Sequence, residues 1–255
     1  MRVLITGGTG RLAAHVLATA APDVSWRVLS RRPQPGPHEA AVGDLVTGAG
    51  IADAVQGMDA VLHLASDPTR PADDVRSAEQ LVRAAAAARV GHLLFLSIVG
   101  VDRIPYPYYQ AKLAGEAIIA GGAVPWTILR ATQFHSFVDW LLSRTLRVPG
   151  LILVPAGIAV QSVADGEVAE RLVGALRAGP AGRARDFAGP EILAASVVAR
   201  AWRRARRLGR AVVPVPISGA VARAFRTGAN TAPDGDRGRE TWSDWVRHRY
   251  AVPGA

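Results

Sequence analysis

The glycine-rich stretch TGGTGRLA, Thr6 to Ala13, joins a short apolar run to a helical pattern. Glycine tolerates positive φ, so Gly7 and Gly10 are expected to turn the chain and bring its backbone close to a ligand. The following helix start would present free N–H groups to a pyrophosphate. Ala13 stands where such fingerprints often have a third glycine, and it is small enough for close helix–sheet packing. A turn without a ligand would look similar, but this position after the first strand favours dinucleotide binding.

Apolar strand patterns alternate with helical patterns over the first half of the chain. The predicted strands are Val3–Thr6, Ser25–Ser30, Ala60–Ala65, His92–Ser97 and Trp126–Arg130, and the predicted helices are Arg11–Ala20, Ala72–Arg89 and Tyr108–Ala120. Strands separated by helices of this length indicate βαβ units with right-handed crossovers. We therefore predict an α/β protein with a doubly wound parallel sheet covered by helices on both faces.

The alternation loosens after about Gln133, where short strands mix with helices. We find no internal repeat and no long linker. The sequence therefore predicts a dinucleotide-binding domain over residues 1–132 and a substrate-binding elaboration over residues 133–255, packed together as a single compact unit. The polar, Gly-rich segment NTAPDGDRGRE, Asn230 to Glu240, is predicted to be a surface loop.

Composition and sequence patterns indicate the cellular compartment and argue against a membrane span and a metal site. The chain has 255 residues and no cysteine, which excludes disulfides and fits a reducing compartment, so a cytoplasmic location is expected. The start, MRVLITGG, predicts a strand rather than a signal peptide, and no segment has the roughly 18 apolar residues of a membrane span. No motif with metal-ligand spacing is present, so no metal is expected.

The net charge of +9 is concentrated in the last third of the chain. From Arg171 onward there are 16 arginines and 6 acidic residues, whereas the first 170 residues have a balance of −1. The densest run is ARAWRRARRLGR, Ala199 to Arg210. Such a run would suit nucleic acid, an anionic membrane or an acidic substrate, but no nucleic-acid-binding motif accompanies it. The solvated face of one helix is the favoured interpretation, and no nucleic-acid partner is expected.

The end of the second predicted strand bears on which dinucleotide binds. An NAD site has an acidic residue about 20 residues beyond the fingerprint, where it binds the ribose 2′-hydroxyl. This chain has Ser30, Arg31 and Arg32 there. No carboxylate would repel a 2′-phosphate, and guanidinium groups bind phosphate well, so NADP(H) is predicted ahead of NAD(H). One arginine is expected to dominate, although either could instead point into water.

Two further turns contain candidate cofactor contacts. Asp44 and Leu45 lie in VGDL, where the carboxylate would either bind the adenine amino group or cap the following turn. Ala65 and Ser66 follow the fourth strand at the carboxyl edge of the sheet, where ligands bind in such folds. Both are expected to lie along the cofactor through their backbone, whereas His63 in the same apolar strand is expected only to pack.

The single lysine of the chain, Lys112, lies in PYPYYQAKLAGE, Pro105 to Glu116. At i, i+4, its ammonium shares a helix face with the phenol of Tyr108. A close ammonium in a partly desolvated cleft is expected to lower the pKa of the phenol from about 10. Lysine is also compact enough to bind both hydroxyls of a nicotinamide ribose. Tyr106 and Tyr109 are rival candidates, and Tyr109 at i, i+3 would also share that face.

Ser97 ends the fifth predicted strand, where its hydroxyl would hold a substrate carbonyl beside the phenol. Together, TGGTGxxA, SRR, GDL, Ser97 and Tyr108-x-x-x-Lys112 resemble the short-chain dehydrogenase/reductase superfamily. More narrowly, SIVGVDRIPYPYYQAKLAGE and LRATQFHSFV resemble its atypical branch of NmrA-like NAD(P)H-binding proteins.

This resemblance implies a Rossmann domain with a small carboxyl-terminal substrate region. It implies that Tyr108 is the acid/base, Lys112 its tuner and ribose anchor, and Ser97 the carbonyl polariser. It also implies that Arg130–Gln133, with Ala131 and Thr132, borders the nicotinamide. The remaining candidate cofactor contacts, beside those named above, are Thr9, Arg11 and Leu12 in the fingerprint. His135 could be a second acid/base or orient the substrate, but a lone histidine among aromatic residues is more often structural, and it is left out of the catalytic set.

These observations predict an NADP(H)-dependent oxidoreductase. Hydride would pass between the cofactor and the carbonyl or alcohol carbon of a small molecule, with Tyr108 exchanging the proton. Epimerisation or dehydration by transient oxidation would use the same residues. Two alternatives remain, an NmrA-like redox sensor without turnover and an accessory cofactor-binding subunit. The resemblance also allows a homodimer.

Overall fold

A computed structural model of the chain describes residues 1–19, 21–145 and 148–251, and strands alternate with helices within them. The strands are β1 (Arg2–Thr6), β2 (Ser25–Ser30), β3 (Glu39–Val42), β4 (Ala60–His63), β5 (His92–Ile98), β6 (Trp126–Ala131), β7 (Leu151–Pro155), β8 (Ala159–Val160), β9 (Gly182–Arg183), β10 (Phe187–Ala188), β11 (Leu193–Ala194), β12 (Ala211–Val215) and β13 (Asp236–Arg237). The helices are α1 (Arg11–Ala18), α2 (Ile51–Val55), α3 (Pro71–Ala87), α4 (Pro107–Ala120), α5 (His135–Thr145), α6 (Asp165–Ala178), α7 (Ala195–Ala205), α8 (Ala220–Arg226) and α9 (Trp242–Arg249). The first helix, predicted to reach Ala20, ends at Ala18, and Ala20 itself lies outside the described residues. None of the helices in these ranges has both the length and the apolar composition needed to cross a membrane.

A parallel sheet forms the centre of the first of two compact units, which comprises Met1–Asp102, Tyr106–Arg130 and Ala169–Arg185. Its strands lie in the order β3-β2-β1-β4-β5-β6-β9. In the pairs of β1 with its neighbours, Val3 lies opposite Trp26 on β2 and Ala60 on β4, both in parallel register. The strand order reverses direction at β1, and ligands bind at such switch points in open α/β sheets. The predicted doubly wound parallel sheet is confirmed.

Apolar side chains cover both faces of this sheet. Leu4 of β1 packs in a core cluster with Leu81 of α3 and Ile119 of α4. Val3 and Ile5, whose side chains alternate with Leu4 on the strand, are also fully buried. Parallel strands covered on both faces need such continuous apolar runs, which explains why β4 and β5 contain few polar residues.

The second compact unit, Arg103–Pro105, Ala131–Val168 and Asp186–Ala255, has a core of its own. Trp202 and Trp242 pack there with Ile152 and Val246. Within this unit β7 pairs with β12 in parallel and β8 pairs with β11 antiparallel. Phe187 of β10 lies opposite Ala131, and β10 also pairs with β13. The division of the chain into residues 1–132 and 133–255 stays a prediction.

The segment from Asn230 to Glu240 differs from the predicted surface loop. Asn230 and Ala232 are buried, and β13 forms within the segment. The Asn230 side chain donates to the Ala159 carbonyl at 2.9 Å, and the Ala232 N–H donates to the Gln161 side chain at 2.8 Å. The Asn230 Nδ2 and the Ala232 N–H are therefore satisfied inside the protein, whereas the Asn230 Oδ1 is buried without a hydrogen-bond partner among the described residues. The surface-loop prediction is therefore wrong for its first residues.

Candidate active site

The glycine-rich turn between β1 and α1 lies against the chain that leaves β4. Gly7 has a φ of +68°, and a Cβ there would lie 2.8 Å from the backbone nitrogen of Ala65. Any other residue would therefore be both strained and too large at this position. No side chain caps the start of α1, so its first N–H groups are open to an anion. These two features fit a dinucleotide pyrophosphate.

Gly10 does not adopt the positive φ that glycine tolerates. Its φ is −79°, because it is the N-cap of α1, a position with extended backbone. Its N–H donates to the Gly7 carbonyl at 2.9 Å and closes the turn. Thr9 and Arg11 are exposed beside it, whereas Leu12 is buried with Ala13. Ala13 fills the close-packing position as predicted.

Thr6 and His63 connect β1 to β4 beneath this turn. The Thr6 Oγ1 accepts the N–H groups of Leu64 and Ala65, each at 3.2 Å, so its proton goes to the Nδ1 of His63 at 2.7 Å. Burial, together with the nearby charge of Lys112, lowers the pKa of His63 to about 3. His63 is therefore a neutral, packed residue, and its predicted role is confirmed.

The predicted contacts at the adenosine end of the cofactor lie on turns of the same unit. Arg31 and Arg32 are both exposed at the end of β2. The Asp44 Oδ1 accepts the N–H of Val46 at 2.8 Å, which is the turn-capping alternative. Leu45 packs against the core. Contacts of these side chains with a cofactor stay predictions.

The phenol of Tyr108, in the first turn of α4, is joined to a carboxylate through a serine hydroxyl. Its oxygen lies 2.9 Å from the Oγ of Ser66, and this Oγ donates to the Oδ2 of Asp74 at 2.5 Å. Because Ser66 has one proton and directs it to Asp74, Tyr108 is the donor in the first hydrogen bond. The Asp67 N–H donates to the Oδ1 of Asp74 at 2.8 Å and holds the carboxylate in place.

Asp74 was missed by sequence reasoning, and Ser66 was expected to act only through its backbone. A carboxylate in the first turn of α3, just after the β4 loop, was the available signal. Ser97, expected to lie beside the phenol, is buried, and its Oγ has no hydrogen-bond partner among the described residues. The hydroxyl that the structure brings to Tyr108 is that of Ser66.

The expected lowering of the Tyr108 pKa is wrong for this structure. Burial raises the pKa of Tyr108 to about 12, the Ser66 hydrogen bond opposes this rise, and the Asp74 carboxylate adds to it. The charge that acts on the phenol is thus an anion rather than the ammonium of Lys112. At neutral pH Tyr108 is protonated and can donate a proton.

Lys112 is buried against the strand beneath it. Its Nζ donates to the Leu96 carbonyl at 3.4 Å and lies 4.7 Å from the centre of the Phe95 ring. Burial lowers the pKa of Lys112 to about 8, and the carboxylates of Asp74 and Glu116 partly oppose that shift. The ammonium is therefore only weakly compensated by contacts within the protein.

The three neighbouring tyrosines differ in their surroundings. Tyr106 is 42% exposed and Tyr109 only 4% exposed, with its ring edge-on to those of Tyr106 and Tyr108. The Tyr108 hydroxyl is hydrogen-bonded to Ser66 in the loop after β4. Of the three candidates, the geometry favours Tyr108.

Arg130, expected to border the nicotinamide, is held by two carboxylates. Its Nε and Nη2 donate to the Oε1 and Oε2 of Glu116 at 2.7 and 2.6 Å, and its Nη1 donates to Asp102 at 2.9 Å. Bidentate pairing of this kind fixes a guanidinium strongly. Arg130 therefore acts as a structural cation in the first unit.

The predicted residues of the second unit lie in a hydrogen-bonded interior. Ala131 and Thr132 are buried, and the Thr132 N–H donates to the Phe187 carbonyl at 3.0 Å. His135 is buried as well, and its Nε2 donates to the Glu240 carbonyl at 3.2 Å while its Nδ1 accepts from Ser162 at 2.8 Å. These contacts favour the structural alternative for His135, and a cofactor contact of Ala131 or Thr132 stays a prediction.

The arginine-rich run on and after α7 is partly used inside the second unit. The Arg206 guanidinium lies 4.6 Å from the ring centre of Trp202, and Arg203 donates to the Arg210 carbonyl at 3.0 Å. Arg204 and Arg207 are exposed. These contacts favour the interpretation of the run as one packed and solvated helix.

Two sequence comparisons match most of the chain. A family model described as NAD(P)H-binding matches residues 6–174. A curated relative, the (4-alkanoyl-5-oxo-2,5-dihydrofuran-3-yl)methyl phosphate reductase of Streptomyces griseus, is 32% identical over 203 residues, which cover 76% of this chain and 70% of the relative.

Solved structures share the fold over nearly the whole chain. A nucleoside-diphosphate-sugar epimerase from Staphylococcus aureus has a TM-score of 0.80 at 15% identity, covering 97% of this chain and 100% of its own. An NADPH-dependent quinone oxidoreductase from Escherichia coli has 0.79 at 16%, covering 97% and 99%. The triphenylmethane reductase of Citrobacter sp., complexed with NADP(H), has 0.73 at 21%, covering 98% and 88%. At these identities the likeness bears on the fold alone.

Proposed function

This chain belongs to the NAD(P)H-binding family, in the extended short-chain dehydrogenase/reductase group, and we propose that it is an NADP(H)-dependent reductase of a small-molecule carbonyl, with Tyr108 as acid/base. One observation carries the proposal. Ala65 touches Gly7 of the fingerprint turn, and the next residue, Ser66, is hydrogen-bonded to Tyr108. The Tyr108 phenol is thus hydrogen-bonded to the loop that lies against the glycine-rich turn.

The cradle at Gly7 and the open start of α1 would hold the pyrophosphate. Arg31 and Arg32 would hold the 2′-phosphate, since guanidinium groups pair well with phosphate oxygens. Asp44 would lie at the adenine. When bound, the cofactor supplies the hydride.

The proton chemistry falls to residues of this chain. A phenol with a pKa of about 12 is protonated at neutral pH, so Tyr108 can give its proton to the carbonyl oxygen during reduction. The Ser97 Oγ, buried and unbonded, would donate to the same oxygen and polarise the carbonyl. The Lys112 ammonium, weakly compensated within the protein, would bind the ribose hydroxyls.

The substrate class is proposed from the relatives. The Streptomyces griseus relative is named as a reductase of a phosphate ester, which supports a small-molecule substrate for this chain. Epimerisation remains an alternative, since the Staphylococcus aureus structural neighbour is named as an epimerase. The lack of cysteine supports a cytoplasmic site of action, and a homodimer is part of the proposal.

The Tyr108→Phe variant tests the proposed carbonyl reduction. With a panel of carbonyl compounds, including phosphorylated ones, NADPH oxidation should fall by about 10²- to 10⁴-fold, because the general acid is lost. The affinity for NADPH, measured by fluorescence titration, should stay within about twofold. Tyr106→Phe, at an exposed position, is the matched control and should keep full activity. A wild-type protein that binds NADPH but reduces nothing on the panel would favour the redox-sensor alternative.

The choice of dinucleotide is tested at the end of β2. The wild type should bind NADPH at least about tenfold more tightly than NADH, equivalent to about 1.4 kcal/mol. Arg31→Ser and Arg32→Ser should each be titrated with both cofactors, and one of them should remove most of that preference. Arg249→Gln, remote in sequence and exposed, is the control. Equal affinities of the wild type for both cofactors would contradict the NADP(H) assignment.

A further inference from the structure

Asp74 is a carboxylate near the phenol with no assigned role. It lies in the first turn of α3 and is half-buried. Its neighbour Asp73 is paired with two arginines, Arg70 and Arg76. Asp74 instead accepts hydrogen bonds from the Ser66 hydroxyl and the Asp67 N–H. The two adjacent carboxylates therefore have different partners. Asp73 is neutralised by cations, whereas Asp74 reaches the phenol through the Ser66 hydroxyl.

The row of hydrogen bonds from Tyr108 to Asp74 has a single direction. The phenol donates to the Ser66 Oγ at 2.9 Å, and the Ser66 hydroxyl donates to the Asp74 Oδ2 at 2.5 Å. In this arrangement protons can shift from Tyr108 towards Asp74, and a shift in the opposite direction begins when the Ser66 O–H turns from Asp74 to the phenolate. The Asp67 N–H fixes the far oxygen of Asp74 and thereby the orientation of the whole row.

We infer that Asp74 is a positioning and relay residue that orients Tyr108 through the Ser66 hydroxyl and, once that hydroxyl turns to the phenolate, replaces the proton that Tyr108 gives to the substrate. The inference rests on the proposed function. It gives the Ser66 side chain a role in proton transfer, beyond the backbone contact expected from its position in the sequence.

The proton transfers balance over one reduction. The carbonyl carbon gains the hydride and its electron pair, and the carbonyl oxygen takes the proton of Tyr108 as the phenol O–H bond breaks. The Ser66 O–H turns to the phenolate and gives it a proton, and the Ser66 oxygen takes a proton from the Asp74 carboxyl, which restores the original hydrogen-bond directions. That carboxyl obtains its proton from water, so one solvent proton is consumed and the carboxylate is restored. In alcohol oxidation the same transfers run in reverse.

The charged groups around the row support this assignment. The Asp74 carboxylate raises the pKa of Tyr108 and opposes the lowering of the pKa of Lys112. Both effects favour the protonated forms of these groups, in which the phenol can act as an acid. The rings of Tyr106 and Tyr109 add weakly to the rise at the phenol, and His63 beneath the site is neutral. Asp74 is therefore the anion that acts on the phenol.

Kinetics of Asp74 variants test the relay. In Asp74→Asn, kcat should fall about tenfold or more, because an amide cannot pass on a proton, while the KM for NADPH stays within about twofold. In Asp74→Ala, added formate should restore activity in proportion to its concentration. The Asp73→Asn variant, which alters the adjacent carboxylate outside the row, should change neither kcat nor the KM for NADPH. Restoration by a soluble acid separates proton transfer from a merely structural role.

A second readout needs no turnover. The chain has four tyrosines, so the ring carbon that bears the hydroxyl can be followed by NMR in ¹³C-labelled protein, with Tyr108→Phe giving the assignment. Asp74→Asn should lower the pKa of Tyr108, seen as a larger shift of its signal between about pH 9 and 11, and Asp73→Asn should leave it unchanged.

The outcomes separate the inference from the proposed function. An active wild type whose Asp74→Asn variant keeps its kcat overturns the relay alone. An inactive Asp74→Ala variant that formate does not restore also overturns it, because Asp74 would then be structural. A wild type that reduces no carbonyl overturns the proposed function, and the relay's role in turnover is overturned with it, even where the NMR shift shows the Asp74 charge acting on Tyr108.

Discussion

Two buried cations in the first unit have opposite surroundings. Arg130, at the end of β6, makes three hydrogen bonds to the carboxylates of Glu116 and Asp102. Lys112, on α4, has one backbone carbonyl at 3.4 Å and an aromatic face. Glu116 lies one helical turn from Lys112, yet both of its oxygens bind Arg130. A neutralised buried cation therefore supports the fold, whereas a weakly compensated one remains available for a ligand.

The pKa values of the two cations follow from these surroundings. Burial by itself lowers the pKa of Arg130, but the hydrogen bonds and charges of Glu116 and Asp102 outweigh burial and raise it. For Lys112 burial prevails and lowers the pKa to about 8. The contrast also shows how the single lysine differs from the 29 arginines of the chain, because an ammonium can lose its proton when buried and a guanidinium cannot.

The largest expected effect is on stability at Arg130. Arg130→Met should lower the free energy of unfolding by about 3–5 kcal/mol, because the buried Glu116 loses its counter-charge. Urea denaturation followed by circular dichroism measures this loss. The double variant Arg130→Met/Glu116→Leu should recover part of it, since no unpaired carboxylate remains buried. An Arg130→Met variant whose free energy of unfolding lies within about 1 kcal/mol of the wild-type value would contradict the stabilising role of Arg130, and with it the contrast between the two cations.

A smaller effect, dependent on pH, is expected at Lys112. Its pKa falls from 10.5 in the unfolded chain to about 8 in the fold, so between these values the unfolded state binds more protons and stability rises with pH. At about 1.4 kcal/mol per pK unit, the unfolding free energy of the wild type relative to Lys112→Met should increase by about 3 kcal/mol across this range. Denaturation curves of both proteins over that range measure the difference. The contribution of Tyr108 titration to the unfolding free energy cancels, because both proteins contain this residue. A constant difference would mean that the ammonium is well compensated.

The smallest effect is expected for exposed arginines. Arg204→Gln and Arg207→Gln should each change the unfolding free energy by no more than about 0.5 kcal/mol, because neither side chain is buried. The same denaturation assay measures both variants. A loss as large as that of Arg130→Met would show that surface arginines also support the fold, and the contrast would no longer depend on burial.

Much of the dinucleotide-binding half could be predicted because its signals are local. Gly7 needs positive φ in a tight turn, and β4 and β5 are apolar because helices cover both faces of a parallel sheet. The segment from Asn230 was harder to predict. The Asn230 side chain and the Ala232 N–H lie in the interior, where they bind partners about 70 residues away, Ala159 and Gln161.

The sequence by itself determined the doubly wound fold, the glycine turn and the face that Tyr108 shares with Lys112, since each depends on residues a few positions apart. Only the tertiary structure decided which charges these residues meet. Ser66 reaches Tyr108 across 42 positions, and Glu116 turns to Arg130, 14 positions away, rather than to Lys112. Such pairings depend on how the crossovers place α3, α4 and β6 beside each other. Spacing along a helix therefore predicts which side chains share a face, whereas the protonation of a buried group depends on the elements packed against it.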